Sequence, residues 1–146
     1  MPYYKKEPYI RDSIKSILNQ SYQNFEIIII NDDIENKDFI NMIPNLDHRI
    51  RLIHNDQNLG AGLSRNKAIN ISKGEYIAFC DCDDLWEKNK LKIQLNFMKQ
   101  FNLKFSFTSY NIIDEKNNFL KIRKAANFVN FINLRNSCDI GLSTVI

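Results

Sequence analysis

The sequence predicts an α/β domain in which a mostly parallel sheet is flanked by helices. Segments with helical periodicity alternate with short apolar segments along the 146 residues. Two apolar segments, 27–30 and 75–80, show almost no polar alternation, which is typical of strands buried on both faces of a parallel sheet. The chain is 44% apolar and 12% aromatic, which is enough for one hydrophobic core, so we expect a single domain over residues 1–146.

The first half of the chain predicts a helix, a strand, a second helix and a second strand. Isoleucines at helical intervals predict a helix over residues 9–20, and a polar break separates it from the strand at 27–30. Residues 36–44 are compatible with a short helix that stops near Pro44, because proline cannot continue a helical hydrogen-bond ladder. Alternating apolar residues over 49–53 predict the next strand.

The second half continues the same alternation. A helix is predicted over residues 61–72 and is ended by Gly74, since glycine commonly follows the last helical residue. The strand at 75–80 comes next and leads into an acidic loop. The rest of the chain predicts a helix over 89–101, a strand over 104–110, a turn at 115–118, a returning hairpin strand over 119–123 and a short helix over 127–134.

Three carboxylates, Asp81, Asp83 and Asp84, follow the predicted strand at 75–80 directly. Parallel sheets bind ligands beyond the carboxyl ends of their strands. Like charges this close repel each other unless a cation or hydrogen-bond donors neutralise them, and a hard divalent cation is a natural partner. The pattern therefore favours a metal and phosphate site, while Asp84 also fits the N-cap of the next helix.

Composition excludes several other functions. The net charge of +3 is spread along the chain without a dense basic block, which argues against nucleic acid as the main partner. No apolar run reaches the roughly 20 residues that span a bilayer, so we expect a cytoplasmic protein. Three cysteines cannot all pair, and we expect Cys80 and Cys82 to be reduced. Zinc binding by Cys82 and Cys138 is disfavoured because paired Cys-x-x-Cys spacing is absent.

Several segments of the sequence, taken together, indicate a protein family more specifically than any one of them does. They are Pro2-Tyr-Tyr-Lys-Lys-Glu7, Phe25-Glu-Ile-Ile-Ile-Ile-Asn-Asp32, Asn58-Leu-Gly-Ala-Gly-Leu-Ser-Arg-Asn-Lys-Ala-Ile69, Lys73-Gly-Glu-Tyr-Ile77 and Asp81-Cys-Asp-Asp-Leu-Trp86. In order and spacing this set closely resembles family 2 glycosyltransferases, which build glycan chains from nucleotide-activated sugars. The resemblance covers nearly the whole chain and implies a GT-A fold, a Rossmann-like fold for nucleotide-diphospho-sugars.

The resemblance implies nucleotide-binding roles for six positions, which are Asp81 of the acidic loop and five others. Pro2 and Tyr4 match the turn that flanks the nucleotide base, although Tyr4 is equally compatible with an ordinary core residue. Asp32 matches the acid that accepts hydrogen bonds from the base, which suits the imide N–H of uracil. Gly60 and Arg65 border the sugar-nucleotide pocket, and Arg65 is a candidate partner for the diphosphate or for the acidic loop.

The resemblance also implies the chemistry of the acidic loop. Asp81 matches the acid that reaches the ribose or the metal, and Asp83 matches the acid that coordinates the metal, Mg²⁺ or Mn²⁺. The expected reaction moves a sugar from a nucleotide-sugar donor, most simply a UDP-sugar, to a glycan or lipid-linked saccharide acceptor, with inversion at the anomeric carbon. The expected location is the cytoplasm, where peripheral association with the inner face of the membrane would bring the enzyme to its acceptor.

Two parts of the family pattern lie outside this sequence. A hydrophobic strand precedes the Pro2-Tyr-Tyr turn in the family, so we expect a sheet truncated by most of its first strand. The catalytic general base is expected beyond Ile146, so no base is assigned. A catalytically silent nucleotide-binding fragment is therefore an open alternative. A phosphatase-like nucleophile at Asp81 is disfavoured, because it leaves the segment from Gly60 to Arg65 without a role.

Overall fold

A parallel three-stranded sheet lies at the centre of the fold, with its strands in the order β1-β2-β3. The structure is a computed structural model that describes residues 1–36, 43, 47–136 and 140–146. The elements are β1 Pro2–Tyr3, α1 Glu7–Leu18, β2 Ile27–Asn31, β3 Ile50–His54, α2 Gly60–Ile71, α3 Lys90–Gln100, β4 Tyr110–Ile113, β5 Phe119–Arg123, α4 Phe131–Asn136 and a 3₁₀ turn Leu142–Thr144.

Strand β2 is the middle strand of the sheet, and all five of its residues are buried, as is typical of a central strand in a parallel sheet. It pairs in parallel with β3 along its whole length, from Ile27 opposite Ile50 to Asn31 opposite His54. It pairs with β1 only at its carboxyl end, since β1 is two residues long. The carboxyl ends of all three strands therefore meet at one edge of the sheet, where a parallel sheet places its ligand.

Helix α1 covers one face of the sheet, as its periodicity predicts. Ile10, Ile14 and Ile17 are buried against β2 in the main hydrophobic core. The buried hydroxyl of Ser13 donates a hydrogen bond of 2.9 Å to the backbone oxygen of Cys82. This contact connects α1 to the acidic loop across 69 residues of sequence.

Helix α3 builds a second hydrophobic cluster with Leu91, Leu95 and Met98, three residues that recur at helical spacing. Trp86 packs against both this cluster and the main core. The side-chain oxygen of Gln20 accepts the backbone N–H of Leu91 at 3.0 Å, which satisfies one of the free donors in the first turn of α3. These contacts hold α3 beside the end of α1.

The predicted strand at 75–80 is wrong in this structure, because Glu75 and Tyr76 lie in a bend and none of the six residues belongs to a strand. A strand needs backbone hydrogen bonds to a neighbour on at least one edge, and the described contacts supply few of them. On one side the Phe79 N–H reaches Val145 O at 3.4 Å. On the other side, β1 comprises Pro2–Tyr3 and pairs with β2.

The last third of the chain forms an antiparallel hairpin of β4 and β5, as predicted for the returning strand. The predicted strand at 104–110 is wrong except at Tyr110, because residues 104–109 form no strand and the strand that pairs with β5 is Tyr110–Ile113. Helix α4 begins four residues later than the predicted 127, and the predicted helix at 36–44 lies mostly outside the described residues. Within the described residues, no helix combines the length and apolar character required to cross a bilayer.

Both described cysteines agree with the expectation of reduced thiols. Cys80 and Cys82 are free and buried. Burial raises the pKa of the Cys82 thiol to about 11, helped by the charge of Asp83. Such thiols are almost entirely protonated at neutral pH and are poor metal ligands. The disfavoured zinc alternative also needs Cys138, which lies outside the described residues.

Candidate functional site

Asp32 directly follows β2 and organises the start of α2. One carboxylate oxygen, Oδ1, accepts the N–H of Leu59 at 2.8 Å and the side-chain amide of Asn55 at 2.7 Å. The other oxygen, Oδ2, accepts the N–H of Gly60 at 2.8 Å. The N-terminus of α2, where free N–H groups favour an anion, therefore binds a carboxylate of the same chain.

The hydrogen bonds around Asp32 determine its charge. Burial alone would raise the pKa of this carboxyl, but the two backbone N–H groups and Asn55 hold the pKa below its usual value. Asn55 is also tied to α2, since its amide lies 3.0 Å from Ser64 Oγ and its oxygen accepts Lys67 Nζ at 2.7 Å. Asp32 is thus an ionised anchor between the sheet and α2.

Gly60 adopts a left-handed backbone with φ of +80°, which aims its N–H at Asp32. We expect Gly60→Ala to lower the free energy of unfolding by about 1 kcal/mol, because an L side chain strains this backbone. Gly62→Ala is the matched control in the same helix, where no atom lies within 4 Å of the added Cβ, and it should raise stability by about 0.5–1 kcal/mol. Urea unfolding measures both, and shifts of the same sign would contradict the role of Gly60.

Asp33 lies next to Asp32 in a turn that Asn31 builds. The side-chain oxygen of Asn31 accepts the Asp33 N–H at 2.9 Å, and its amide lies 3.2 Å from Nδ1 of His54. Asp33 is buried, yet its Oδ1 has no hydrogen-bond partner in the part of the chain that the structure describes. A buried oxygen without a partner costs free energy, so it marks an acceptor that a ligand can use.

The aromatic residue beside these acids is exposed. The Tyr4 side chain is 48% exposed, so the alternative that Tyr4 is a core residue is wrong. Its neighbour Tyr3 is the core residue, fully buried, with its hydroxyl accepting the amide of Asn36 at 3.3 Å. Pro2 pairs with Ile30 in the sheet. The ring of Tyr4 is therefore available to a planar ligand next to the carboxyl ends of β1 and β2.

Cationic side chains neutralise two acids of the loop. Arg65 donates to Oδ1 of Asp81 at 2.6 Å, a contact that the sequence had suggested. Lys6 forms a salt bridge of 2.9 Å with Asp83. The Nε of Arg65 is buried and has no hydrogen-bond partner among the described residues. One donor of the guanidinium is thus free to bind an anion.

Ser143, from the 3₁₀ turn, joins the acidic loop to the end of the chain. Its hydroxyl oxygen accepts the N–H of Asp81 at 3.0 Å and donates to Oδ2 of Asp84 at 2.5 Å, while its backbone oxygen accepts the Trp86 indole N–H at 3.0 Å. Burial raises the pKa of Asp84, and the charges of Asp83 and Asp81 raise it further against the opposing hydrogen bond. The loop therefore carries excess negative charge.

The predicted N-cap role of Asp84 is wrong, because α3 begins at Lys90 after Asn89. Asp84 instead remains within the loop, where its backbone N–H donates to Asp81 O at 3.1 Å. The carboxylate is held by Ser143 rather than by a helix terminus. All three acids of the motif therefore belong to one loop.

The loop does not present a complete metal site by itself. Among the described residues, no three His, Cys, Asp or Glu side chains are grouped to hold an ion. The side chains of Asp81 and Asp83 are 34% and 38% exposed, and a solvent-exposed salt bridge such as Lys6–Asp83 contributes little. Carboxylate oxygens suit Mg²⁺ and Mn²⁺, so the residues fit a cation whose other ligands come from a bound phosphate and water.

Sequence patterns did not identify three residues of the site. Lys6, Asn55 and Ser143 each contact an acid that is distant in sequence, at separations of 77, 23 and 59 or more residues. A lysine, an asparagine and a serine in polar segments carry no periodicity or spacing that predicts such contacts. These three residues reach their acids because the folded chain passes over the carboxyl edge of the sheet.

Curated relatives of the chain are sugar-transferring enzymes. WfgD of Escherichia coli, described as a UDP-Glc:alpha-D-GlcNAc-diphosphoundecaprenol beta-1,3-glucosyltransferase, is 35% identical over 100% of this chain and 57% of its own length. WfaP of Escherichia coli, with the same description, is 38% identical over 92% of this chain and 53% of its own length. The chain thus spans a little over half of each relative.

The fold also has a solved counterpart. The Staphylococcus aureus TarS fragment 1–349 superposes with a TM-score of 0.60 at 24% identity, over 71% of this chain and 32% of the fragment. This similarity shows the α/β fold, as predicted from the sequence. The family model for glycosyl transferase family 2 matches residues 1–145. Since the match covers almost every residue, the chain belongs to glycosyl transferase family 2.

Proposed function

We propose that this chain forms the nucleotide-sugar-binding part of a glycosyltransferase that uses a UDP-sugar. The observation that carries the proposal is the arrangement along α2. Its first residue binds Asp32, and Arg65, five residues further along, binds Asp81. A helix rises 1.5 Å per residue, so the backbones of Gly60 and Arg65 are offset by about 7.5 Å along α2. Such an offset suits a ligand with a base at one end and phosphates at the other.

The base end is formed by acceptors and an aromatic ring. Asp33 Oδ1 has no hydrogen-bond partner among the described residues, and Oδ2 of Asp32 accepts the N–H of Gly60. Both are acceptors only, which suits the imide N–H of uracil and disfavours a base that presents another acceptor there. The exposed ring of Tyr4 can stack on the base, a contact that adds affinity without selecting among bases.

The phosphate end is formed by cations and acids together. The Nε of Arg65, which has no partner in the part of the chain that the structure describes, and the ammonium of Lys6 supply donors for a diphosphate. Asp83 and Asp81 would hold Mg²⁺ or Mn²⁺, which supplies Lewis-acid stabilisation of the diphosphate leaving group when bound. Lys6 leaves Asp83 at little cost, because its salt bridge is a surface contact.

The acceptor is proposed from the relatives. The descriptions of WfgD and WfaP name a saccharide linked to diphosphoundecaprenol. A saccharide or lipid-linked saccharide acceptor for this chain would place the reaction at the inner face of the membrane. Direct attack by an acceptor hydroxyl on the activated sugar would invert the anomeric carbon. No residue of this chain is assigned as the general base for that step.

Calorimetric titration with UDP, GDP and CDP, each with Mn²⁺ and with EDTA, tests the proposal. We expect UDP to bind at least about tenfold more tightly than CDP in Mn²⁺, because cytosine presents the acceptor N3 where uracil presents its imide N–H. Equal affinities for the three nucleotides would contradict the assigned base pocket. Absence of binding by all of them would contradict the proposed function itself.

A further inference from the structure

Two serine hydroxyls of α1 hold the backbone around the acidic loop. Residues 77–89 contain turns but no helix or strand, so no regular ladder of backbone hydrogen bonds fixes the shape of this segment. The Ser13 hydroxyl donates to Cys82 O at 2.9 Å, and the Ser16 hydroxyl accepts the N–H of Trp86 at 3.0 Å. The conformation of the loop therefore depends on side chains from other parts of the chain.

Ser143 is a third serine at this loop, and its hydroxyl contacts two of the acids. The hydroxyl oxygen accepts the N–H of Asp81 at 3.0 Å, while the same group donates its only hydrogen to Oδ2 of Asp84 at 2.5 Å. The backbone N–H of Asp84 donates to Asp81 O at 3.1 Å and closes the same four residues into a turn. Ser143 thus connects the first and the last acid of the loop, whereas the described contacts of the α1 serine hydroxyls are with backbone groups.

The three acids of the loop differ in their partners. Asp81 and Asp83 form salt bridges of 2.6 and 2.9 Å. Asp84 forms no salt bridge within the described part of the chain, and its carboxylate binds the Ser143 hydroxyl. Without that hydroxyl, the Asp84 carboxylate could rotate and the Asp81 N–H would lose its acceptor. The carboxylates of the loop would then point in variable directions, which disfavours a cation that requires oxygens at defined positions.

The 3₁₀ turn that carries Ser143 is itself anchored to α3. The amide of Gln94, a buried residue of α3, donates to Thr144 O and to Ser106 Oγ, both at 2.9 Å. Ser106 and Ile146 exchange backbone hydrogen bonds of 2.9 and 3.1 Å. A side chain on a supported segment keeps its position, as a residue that orients a site must. Ser143 can therefore impose its position on the acidic loop.

We propose that Ser143 is a positioning residue for the divalent cation, which it does not contact. Its hydroxyl orients the acidic loop so that Asp81 and Asp83 can bind the ion together. The inference rests on the proposed function, because that proposal assigns the ion to these two acids. The physical basis is preorganisation, since a loop that is already held in one conformation loses less entropy when the ion binds. Removing the hydroxyl should therefore weaken ion binding although no ligand of the ion is removed.

The first part of the test uses Mn²⁺ alone. Amide NMR spectra of the whole chain are recorded during a Mn²⁺ titration, and paramagnetic broadening at residues 81–84 reports the ion. We expect Ser143→Ala to require at least about tenfold more Mn²⁺ than the parent for the same broadening, the scale of one lost hydrogen bond to a charged group. Ser143→Thr keeps a hydroxyl and should restore most of the loss.

Ser16→Ala is the matched control. It also removes a hydroxyl that holds the backbone beside the loop, but the described contacts of this hydroxyl are with backbone groups and not with an acid. We expect Ser16→Ala to lower the melting temperature and to leave the Mn²⁺ concentration at half-broadening unchanged. Circular dichroism verifies that each variant is folded. A purely structural role of Ser143 predicts that the two alanine variants lose Mn²⁺ binding alike.

The second part of the test repeats the UDP titration by calorimetry, in Mn²⁺ and in EDTA. Ser143→Ala should weaken UDP binding in Mn²⁺ and leave binding in EDTA unchanged. If Mn²⁺ behaves as expected but the parent does not bind UDP, the proposed function fails and the role of Ser143 stands. The role of Ser143 is overturned if Mn²⁺ broadens none of residues 81–84 in the parent, if Ser143→Ala matches the parent, if threonine restores nothing, or if Ser16→Ala causes the same loss.

Discussion

Replacing Asp83 by asparagine is expected to weaken UDP binding in Mn²⁺ by roughly 10- to 100-fold, the equivalent of about 1.5–3 kcal/mol for a lost charged contact. The carboxylate is partly exposed and is held only by Lys6 in the described contacts, so it can turn to a cation. An amide keeps the shape but loses the charge that a hard cation requires. Calorimetric titration of UDP in Mn²⁺ measures the change.

Asp12→Asn is the control for this substitution, because it removes the same charge from an exposed position on α1. We expect it to bind UDP like the parent. In EDTA the parent and Asp83→Asn should bind UDP equally weakly, since the difference depends on the cation. Strong UDP binding by the parent in EDTA, or by Asp83→Asn in Mn²⁺, would exclude a metal at this position.

Asp32→Asn should lower the free energy of unfolding by about 3 kcal/mol at pH 7, because the amide cannot accept all the N–H groups that converge on the carboxylate. Whichever way the amide turns, its NH₂ group faces a donor from Leu59, Gly60 or Asn55. At least one buried donor then loses its partner. Urea unfolding at equilibrium measures the loss.

The pH dependence separates this effect from a general loss of packing. The pKa of Asp32 is lowered in the folded state, so its contribution is complete above the ordinary carboxyl pKa of about 3.9 and is lost as the pH falls through the folded value. The difference in the free energy of unfolding between the parent and Asp32→Asn should therefore become smaller below about pH 4. Asp56 is exposed, so Asp56→Asn serves as the control, and its free energy of unfolding should differ little from that of the parent. A gap that is constant with pH would contradict the anchor role.

The sequence predicted those elements that depend on local patterns. Helices α1, α2 and α3 have apolar residues at helical spacing or a glycine at the start, and each lies within two residues of its predicted bounds. Strand β2 is an uninterrupted isoleucine run, which has few alternatives in an α/β protein. Periodicity is a property of the segment itself, so a prediction based on it does not depend on contacts with distant parts of the chain.

Predictions that depended on distant partners were less successful. The run at 75–80 has strand composition, but a strand exists only where a neighbour supplies hydrogen bonds. For the site, the sequence named Asp81 and Arg65, which do meet, but it did not show that Asp32 binds the start of α2. It also missed Ser143, because its contacts with the acidic loop bridge about 60 residues.

Trp86 is the only tryptophan of the chain, and its place in the fold makes it an intrinsic optical probe. The indole donates to Ser143 O, Lys90 Nζ lies 4.3 Å from its ring centroid, and the ring packs against both hydrophobic clusters. Indole emission responds to nearby charge and to water. One fluorophore therefore reports unfolding of the core and charge changes in the adjacent acidic loop, without a label or an engineered residue.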